Sequence, residues 1–377
     1  MRRTARKRGK SGKPGGIFRP GGALLDAMLL TVDAIGSNSR LGPVPLLARR
    51  PMATRKLNVR SRAARSGGLP WLGGLISPRE PAAEEEVAFP APHPPRIGDW
   101  RLLDEIGRGA WTRVHLARPA EASRARAGCY ALKLLDPAWE GDPLALATLR
   151  REALVGMTVS DPHLVSVLAA HVHESPCYLV TPFLPGTTLA ERLRGGRLPI
   201  RTAIWIARQI AEGLAALHDA GWLHRDVKPA NIVVSPSGHA TLVDLGLCEE
   251  RDRAASLAAR RVADRPIAGT FDYLAPEATM PGMACGPVSD LYSLGIVLFE
   301  MLAGHLPFRG RTAGELAEKH RRTPPPAVAQ LRPEVSAEVA QFVRELLAKQ
   351  PLRRPTSARE VAARLVRLEI AALANPP

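Results

Sequence analysis

Apolar residues follow a helical period most clearly between Ile200 and His218. They recur at positions 200, 204, 207, 210, 211, 214 and 217, which predicts a helix with one buried face that closes near Gly221. A second, almost wholly apolar stretch from Asp290 to Met301 predicts a helix in the centre of a folded lobe. Earlier in the chain, the segment from Trp100 to Ala117 predicts two strands joined by a glycine turn.

Residues 1–95 show no comparable pattern. They are rich in Arg, Gly and Pro and keep no sustained period of 2 or 3.6 residues. Because such a segment buries too little apolar surface to offset the entropy lost on ordering, we expect a disordered basic tail. Its 17 Lys and Arg against 6 Asp and Glu account for +11 of the net charge of +16. Either the tail is simply solvated, or it makes a weak contact with nucleic acid or another acidic surface.

The composition of the whole chain favours a cytoplasmic protein with a large core. The chain has 377 residues, of which 45% are hydrophobic. Its four cysteines form no C-x-x-C pair, which is typical of reduced thiols and not of a disulfide framework or a zinc site. No window approaches the length of uninterrupted apolar sequence that a membrane span needs, so we expect no transmembrane segment.

The stretch from His224 to Asn231 carries the residue types of a phosphoryl-transfer site. It contains Asp226, Lys228 and Asn231, and Asp244 follows further along the chain. One carboxylate can accept a proton from an attacking hydroxyl. The other carboxylate and the asparagine oxygen are the kind of ligand that Mg²⁺ prefers, and the lysine can neutralise phosphate charge.

This stretch resembles the catalytic and metal-binding loops of the eukaryotic-like (Hanks-type) serine/threonine protein kinases of bacterial type. A glycine-rich turn, an A-x-K motif, an A-P-E motif and a late arginine follow in the family's order, so the resemblance covers about residues 100–370. It implies an α+β, two-lobed protein-kinase fold with a small β-rich N-lobe and a larger, mainly helical C-lobe. We expect the tail at 1–95, the kinase domain at 96–370 with lobes at 100–182 and 185–370, and a short tail at 371–377.

The resemblance also implies roles for single residues. Asp226 is the expected base, Lys228 and Thr270 are expected beside it, and Asn231 and Asp244 are the expected Mg²⁺ ligands. ATP and Mg²⁺ are the implied cofactors, and the implied reaction transfers the γ-phosphate of ATP to Ser/Thr hydroxyls of protein substrates. The expected nucleotide-binding residues are Ile106, Gly107, Gly109, Val114, Ala131, Lys133, Glu152, Thr181, Pro182, Leu184 and Glu191.

Three supporting contacts follow from the same resemblance. Lys133 is expected to pair with Glu152, which lies 19 residues further on. Glu277 of the A-P-E motif is expected to pair with Arg354. Asp290 is expected to accept hydrogen bonds from the backbone of the catalytic loop.

Some positions depart from the family pattern. Thr112 replaces the third glycine of the glycine-rich turn, and Leu245 replaces the phenylalanine of D-F-G. Gly156 stands where a large apolar residue is usual, so we expect a loosely held helix and a need for an activating protein partner. Arg225 belongs to the type that often binds a phosphate on the activation loop, and Ser256 is the one hydroxyl residue between positions 247 and 268.

Other functions would share parts of this sequence pattern with an active kinase. A pseudokinase scaffold would bind partners without phosphoryl transfer, and a kinase carried by a nucleic-acid-binding tail is a further alternative. A small-molecule kinase of the aminoglycoside phosphotransferase type shares the loop chemistry. It usually lacks the A-P-E segment, and Ala275-Pro276-Glu277 therefore argues against it.

Overall fold

The computed structural model describes residues 95–121, 129–252, 270–280 and 282–374. The predicted tail up to residue 94 and Ser256 lie outside these residues. The last helix extends to Ala374, beyond the predicted domain end at 370. In the described part of the chain, no helix is both long and apolar enough to cross a membrane.

An antiparallel sheet of six strands forms the N-lobe, in the order β1-β2-β3-β4-β6-β5. The predicted pair of strands after residue 99 is confirmed, because Trp100 lies opposite Pro119 and Arg108 opposite Arg113. One group of buried sheet residues consists of Leu102, Ala117, Leu132 and Val180. The six strands are β1 Arg96–Ile97, β2 Trp100–Arg108, β3 Thr112–Pro119, β4 Tyr130–Leu135, β5 Ala169–His171 and β6 Tyr178–Pro182.

Helix α1, Pro143–Thr158, packs against this sheet. Asp142 caps its start by accepting a hydrogen bond from the backbone N–H of Ala145 at 2.8 Å, and the proline at the first position needs no hydrogen-bond partner there. The buried side of α1 contributes Leu149 and Ala153 to a cluster with Leu135 and Leu179 of the sheet. This packing fixes the position of Glu152, which lies on the buried side of α1.

The expectation that Gly156 leaves α1 loosely held is wrong. Val167, which is 5% exposed, occupies the space beside it. A Cβ at position 156 would lie 2.5 Å from Val167 Cγ2, and the backbone N–H of Val167 donates to the carbonyl oxygen of Gly156 at 2.9 Å. A close backbone approach therefore holds the helix at the position where the resemblance predicts a large apolar side chain.

The C-lobe is built around two helices. The predicted stripe of residues is confirmed in α3, Ile200–Asp219, and the apolar stretch after Gly286 forms α4, Pro287–Ala303, which is buried over nearly its whole length. Gly304 ends α4 with a φ of 80°, a conformation that suits a residue without a Cβ. The other helices are α2 Leu189–Leu193, α5 Ala313–Arg322, α6 Val328–Leu331, α7 Ala337–Leu346 and α8 Ala358–Ala374.

Short strands in the C-lobe flank the loops that contain Asp226 and Asp244. Strands β7, β9 and β10 form a three-stranded sheet, and β8 pairs with β11. The strands are β7 Thr187–Thr188, β8 Trp222–Leu223, β9 Ile232–Val234, β10 Ala240–Leu242 and β11 Glu249–Glu250. Residues 224–231, called the catalytic stretch below for their resemblance to a kinase catalytic loop, thus lie between β8 and β9, and Asp244 follows β10.

The predicted ion pair between Glu277 and Arg354 is confirmed. Arg354 Nη1 lies 2.7 Å from Glu277 Oε1 and Nη2 lies 2.8 Å from Oε2, so the pair is bidentate. The side chains are 0% and 1% exposed. Ser289, at the start of α4, adds a hydrogen bond to Glu277 at 2.6 Å. The A-P-E segment, α4 and the approach to α8 are thereby joined.

Candidate active site

The glycine-rich turn between β2 and β3 is tight. The backbone N–H of Gly109 donates to the carbonyl oxygen of Thr112 at 2.7 Å. A Cβ at position 109 would lie 2.8 Å from Thr112 Oγ1, so a larger residue there would require the Thr112 side chain to move. Gly107 lies opposite Val114, and Ile106, just before the turn, is 45% exposed. The turn therefore offers a narrow backbone surface of the kind that can approach phosphate groups.

The predicted nucleotide-binding residues of the sheet lie on adjacent strands. Val114 on β3 is opposite Lys133 on β4, and Ala131 is opposite Thr181 on β6. Thr181 Oγ1 also lies 3.5 Å from the carbonyl oxygen of Ala131. The three strands thus bring four predicted nucleotide-binding residues close together.

The segment after β6 leaves the N-lobe sheet. Pro182 is the last residue of β6, opposite Tyr130, and Leu184 is half-buried in the connection to the C-lobe. A proline at position 182 has no backbone N–H, but its carbonyl group stays available to contact a nucleotide.

Lys133 contacts two carboxylates, one in each lobe. Its Nζ lies 2.6 Å from Glu152 Oε2 and 2.9 Å from Asp244 Oδ1, and the predicted pair with Glu152 is confirmed. Burial alone would lower the pKa of Lys133, but the two carboxylates overcome that effect and raise it. The Lys133 ammonium is the main reason why the pKa of Asp244 is lowered. Both groups are therefore charged at neutral pH.

Asp226 is held by two neighbours in the catalytic stretch. Lys228 Nζ donates to Asp226 Oδ2 at 2.6 Å, and Asn231 Nδ2 donates to the same oxygen at 2.9 Å. The backbone N–H of Asp226 also donates to His224 Nδ1 at 3.2 Å. Asp226 is 5% exposed. These contacts fix one carboxylate oxygen in place, as a group that must receive a proton from a bound hydroxyl requires.

The predicted support from Asp290 is confirmed. Its carboxylate accepts hydrogen bonds from the backbone N–H groups of His224 at 2.9 Å and Arg225 at 2.8 Å. His218 Nε2 lies 2.8 Å from Asp290 Oδ2, a contact that the sequence did not reveal. Burial would raise the pKa of Asp290, yet His218, the charge of His224 and the backbone N–H of Arg225 lower it, so the carboxylate is ionised. Burial lowers the pKa of His224.

Asn231 and Asp244 suit a magnesium ion. The amide nitrogen of Asn231 donates to Asp226, which leaves the amide oxygen as the ligand atom. Asp244 has a φ of 67° in the left-handed region, and its side chain is 41% exposed. Within the described ranges no group of three His, Cys, Asp or Glu side chains could hold a metal ion. Mg²⁺ needs no such group, because it usually binds one or two protein oxygens and completes its shell with phosphate oxygens and water.

Two of the predicted site residues, Glu191 and Thr270, take no part in the contacts described above. Glu191 forms a capping box at the start of α2: its Oε2 accepts hydrogen bonds from Thr188 N at 2.8 Å and Thr188 Oγ1 at 3.0 Å. The contact of Glu191 with the nucleotide therefore stays a prediction. Thr270 begins the turn Thr270–Tyr273 ahead of the A-P-E segment, and its catalytic role likewise stays a prediction.

Arg225 has a partner that the sequence did not suggest. Its guanidinium forms an ion pair with Glu249 on β11. The role of Glu249 depends on the pairing of β11 with β8, which brings two distant segments together. The spacing along the chain gave no signal for it.

Comparisons with known proteins agree with this geometry. A family profile described as "Protein kinase domain" matches residues 100–366. The chain is 31% identical over 268 residues to serine/threonine-protein kinase PrkC of Bacillus subtilis, a match that covers 71% of this chain and 40% of the relative. It is 33% identical over 281 residues to serine/threonine-protein kinase PknB of Mycobacterium leprae, covering 73% of this chain and 44% of the relative. The chain thus spans less than half the length of these relatives, and the residues that the family profile matches include every part of the site described above. On both grounds, the chain belongs to the protein kinase family.

Proposed function

We propose that this protein is a serine/threonine protein kinase, which transfers the γ-phosphate of ATP to Ser and Thr hydroxyls of protein substrates. One observation carries the proposal: Asp226, fixed by Lys228 and Asn231, belongs to the same domain as the linked triad of Lys133, Glu152 and Asp244. The first group can orient a hydroxyl and the second can place phosphates. Curated relatives named as serine/threonine-protein kinases support the choice of acceptor.

In the proposed reaction, the acceptor oxygen attacks the γ-phosphorus, its proton passes to Asp226, and ADP leaves with the electrons of the broken P–O bond. Asp226 orients the hydroxyl and holds the proton at Oδ1 or Oδ2. Lys228, beside Asp226, offsets negative charge on the transferred group, and Lys133 orients the remaining phosphates. Asn231 and Asp244 would hold Mg²⁺, which would supply further neutralisation of phosphate charge.

The remaining predicted contacts would position the nucleotide. The backbone at Gly107 and Gly109 would approach the phosphates, while Val114 and Ala131 would pack on the adenine. The carbonyl group of Pro182 and the N–H of Leu184 would meet the adenine edge, with Ile106, Thr181 and Glu191 as further contacts.

A pseudokinase scaffold has no observation in its favour. The charged and metal-binding residues that phosphoryl transfer requires are present, and the contacts among Lys133, Glu152, Asp226 and Asp244 are formed. The packing at Gly156 also removes the structural reason for expecting an activating protein partner.

Two aspartate variants test the proposed division of labour. Asp226→Asn should abolish transfer while ATP still binds, because this residue acts on the hydroxyl. Asp244→Asn should weaken Mg²⁺-dependent ATP binding as well, since this residue is a proposed metal ligand. Titration calorimetry with ATP, with and without Mg²⁺, measures binding, and transfer of labelled phosphate to a generic basic protein measures activity. Equal binding and equal transfer in wild type and both variants would refute the proposal.

The tail and the domain boundary are proposals of the same kind. Deletion of residues 1–95 should leave a folded, ATP-binding domain, because the matched motifs begin after Trp100. If the tail binds nucleic acid, the affinity should fall steeply between low and high salt as counterions are released. No binding at either salt concentration would leave only the solvated tail.

The need for ATP supports a cytoplasmic location.

A further inference from the structure

Arg225 lies directly before Asp226 and has a backbone conformation that other contacts must maintain. Its φ of 69° lies in the left-handed region, which is unfavourable for a residue with a Cβ. Its backbone N–H donates to Asp290 Oδ1 at 2.8 Å. The contacts of Arg225 therefore help to decide where the next residue, Asp226, points its carboxylate.

Glu249 holds the side chain of Arg225. The side chains of this ion pair are 13% exposed for Arg225 and 5% exposed for Glu249. A guanidinium removed from water in this way requires an anion beside it. The pairing of β11 with β8 places Glu249 near Arg225. Glu249 lies opposite Leu223, and Leu223 is two residues before Arg225 in the chain. The same strand pairing therefore links the loop after Asp244 to the catalytic stretch.

We propose that Glu249 is a positioning residue: its carboxylate holds Arg225, and with it the stretch that carries Asp226, without a phosphate on the segment that follows β11. This inference rests on the proposed function and deepens it. A phosphate brought to Arg225 would meet the carboxylate of Glu249 as a like charge and would have to displace it. An anion that is part of the fold thus does the task that elsewhere falls to a modified activation loop.

Glu249→Gln tests the proposal, because it keeps the size of the side chain and removes its charge. Glu250→Gln is the matched control, since Glu250 is the next residue on the same strand and is exposed. We expect Glu249→Gln to lower kcat about tenfold or more, as the loss of a charged hydrogen bond does. The Kd for ATP should stay unchanged, and Glu250→Gln should match wild type in both. Glu249→Asp keeps the negative charge and should therefore retain more of kcat than Glu249→Gln. If Glu249→Gln does not fold, Glu249→Asp replaces it as the test variant and should lower kcat relative to Glu250→Gln.

Two further measurements separate this inference from its rivals. Wild type treated with a phosphatase, and Ser256→Ala, should keep full kcat. Amide hydrogen exchange over residues 223–231 should be faster in Glu249→Gln than in Glu250→Gln. Loss of activity on phosphatase treatment, or unchanged kcat and exchange in Glu249→Gln, would overturn the proposal. If wild type transfers no phosphate at all, the proposed function fails, and the exchange difference still decides whether Glu249 positions the catalytic stretch.

Discussion

The buried ion pair between Glu277 and Arg354 gives a sharp stability prediction. Arg354→Met removes the cation and leaves the Glu277 carboxylate buried, with Ser289 as its remaining hydrogen-bond donor among the contacts described above. Arg354 also donates to the carbonyl oxygens of Val288 at 2.9 Å, Ala348 at 2.8 Å and Lys349 at 3.3 Å. The substitution therefore deprives three segments of the C-lobe of a shared anchor.

The expected cost follows from the burial of both groups. Breaking a buried ion pair from one side costs about 3–5 kcal/mol, because one charge stays uncompensated away from water. The exposed pair of Arg359 and Asp219 provides the control, since its side chains are 76% and 59% exposed. Arg359→Met should cost about 0–1 kcal/mol, as exposed pairs do.

Urea unfolding of both variants, followed by far-UV circular dichroism, measures the difference. The double variant Arg354→Met/Glu277→Gln should regain more than half of the loss, because no unpaired charge is then buried. Equal midpoints for Arg354→Met and Arg359→Met would refute this reasoning, as would a double variant that is less stable than Arg354→Met.

Three further predictions test other parts of the structure. Gly156→Leu should lower the urea midpoint of unfolding, because the leucine side chain would clash with Val167. Adding Val167→Ala to this variant should restore part of the lost stability. An unchanged midpoint in Gly156→Leu would contradict the packing described. Asp290→Asn should lower kcat about tenfold or more with ATP affinity unchanged, because the backbone of the catalytic stretch loses a charged acceptor; steady-state kinetics with calorimetry would detect it, and an unaffected kcat would count against it. Burial lowers the pKa of His320 from 6.5 to about 4. The unfolded chain then binds the extra proton, so wild type should lose up to about 3 kcal/mol of stability as the pH falls from about 6.5 to about 4. His320→Gln should show a flatter urea midpoint over that range, and identical pH profiles would contradict the assignment.

The sequence predicted those features whose signal lies within one continuous stretch. The helix α3 follows from its apolar period, and the position of Lys228 beside Asp226 follows from a short run of residues that must fold locally. The pair of Glu277 and Arg354 could be predicted only through the family resemblance, because the two residues are distant in sequence.

Other features could not be predicted, because they depend on pairing through space. The sequence shows Gly156 as a missing side chain, whereas the structure fills the space with Val167 from a separate segment. Glu249 lies in a polar run whose importance appears only once β11 pairs with β8 beside Arg225. Register between short strands is weakly encoded in so few residues.

The most direct measurement is a phosphoryl-transfer assay with wild type and Asp226→Asn side by side, followed by phosphoamino-acid analysis of the product. Wild type with labelled ATP and Mg²⁺ should produce phosphoserine or phosphothreonine. Asp226→Asn should produce neither while it binds ATP as tightly as wild type. Transfer by Asp226→Asn at the rate of wild type, or a wild type that binds ATP and never transfers phosphate, would contradict the account.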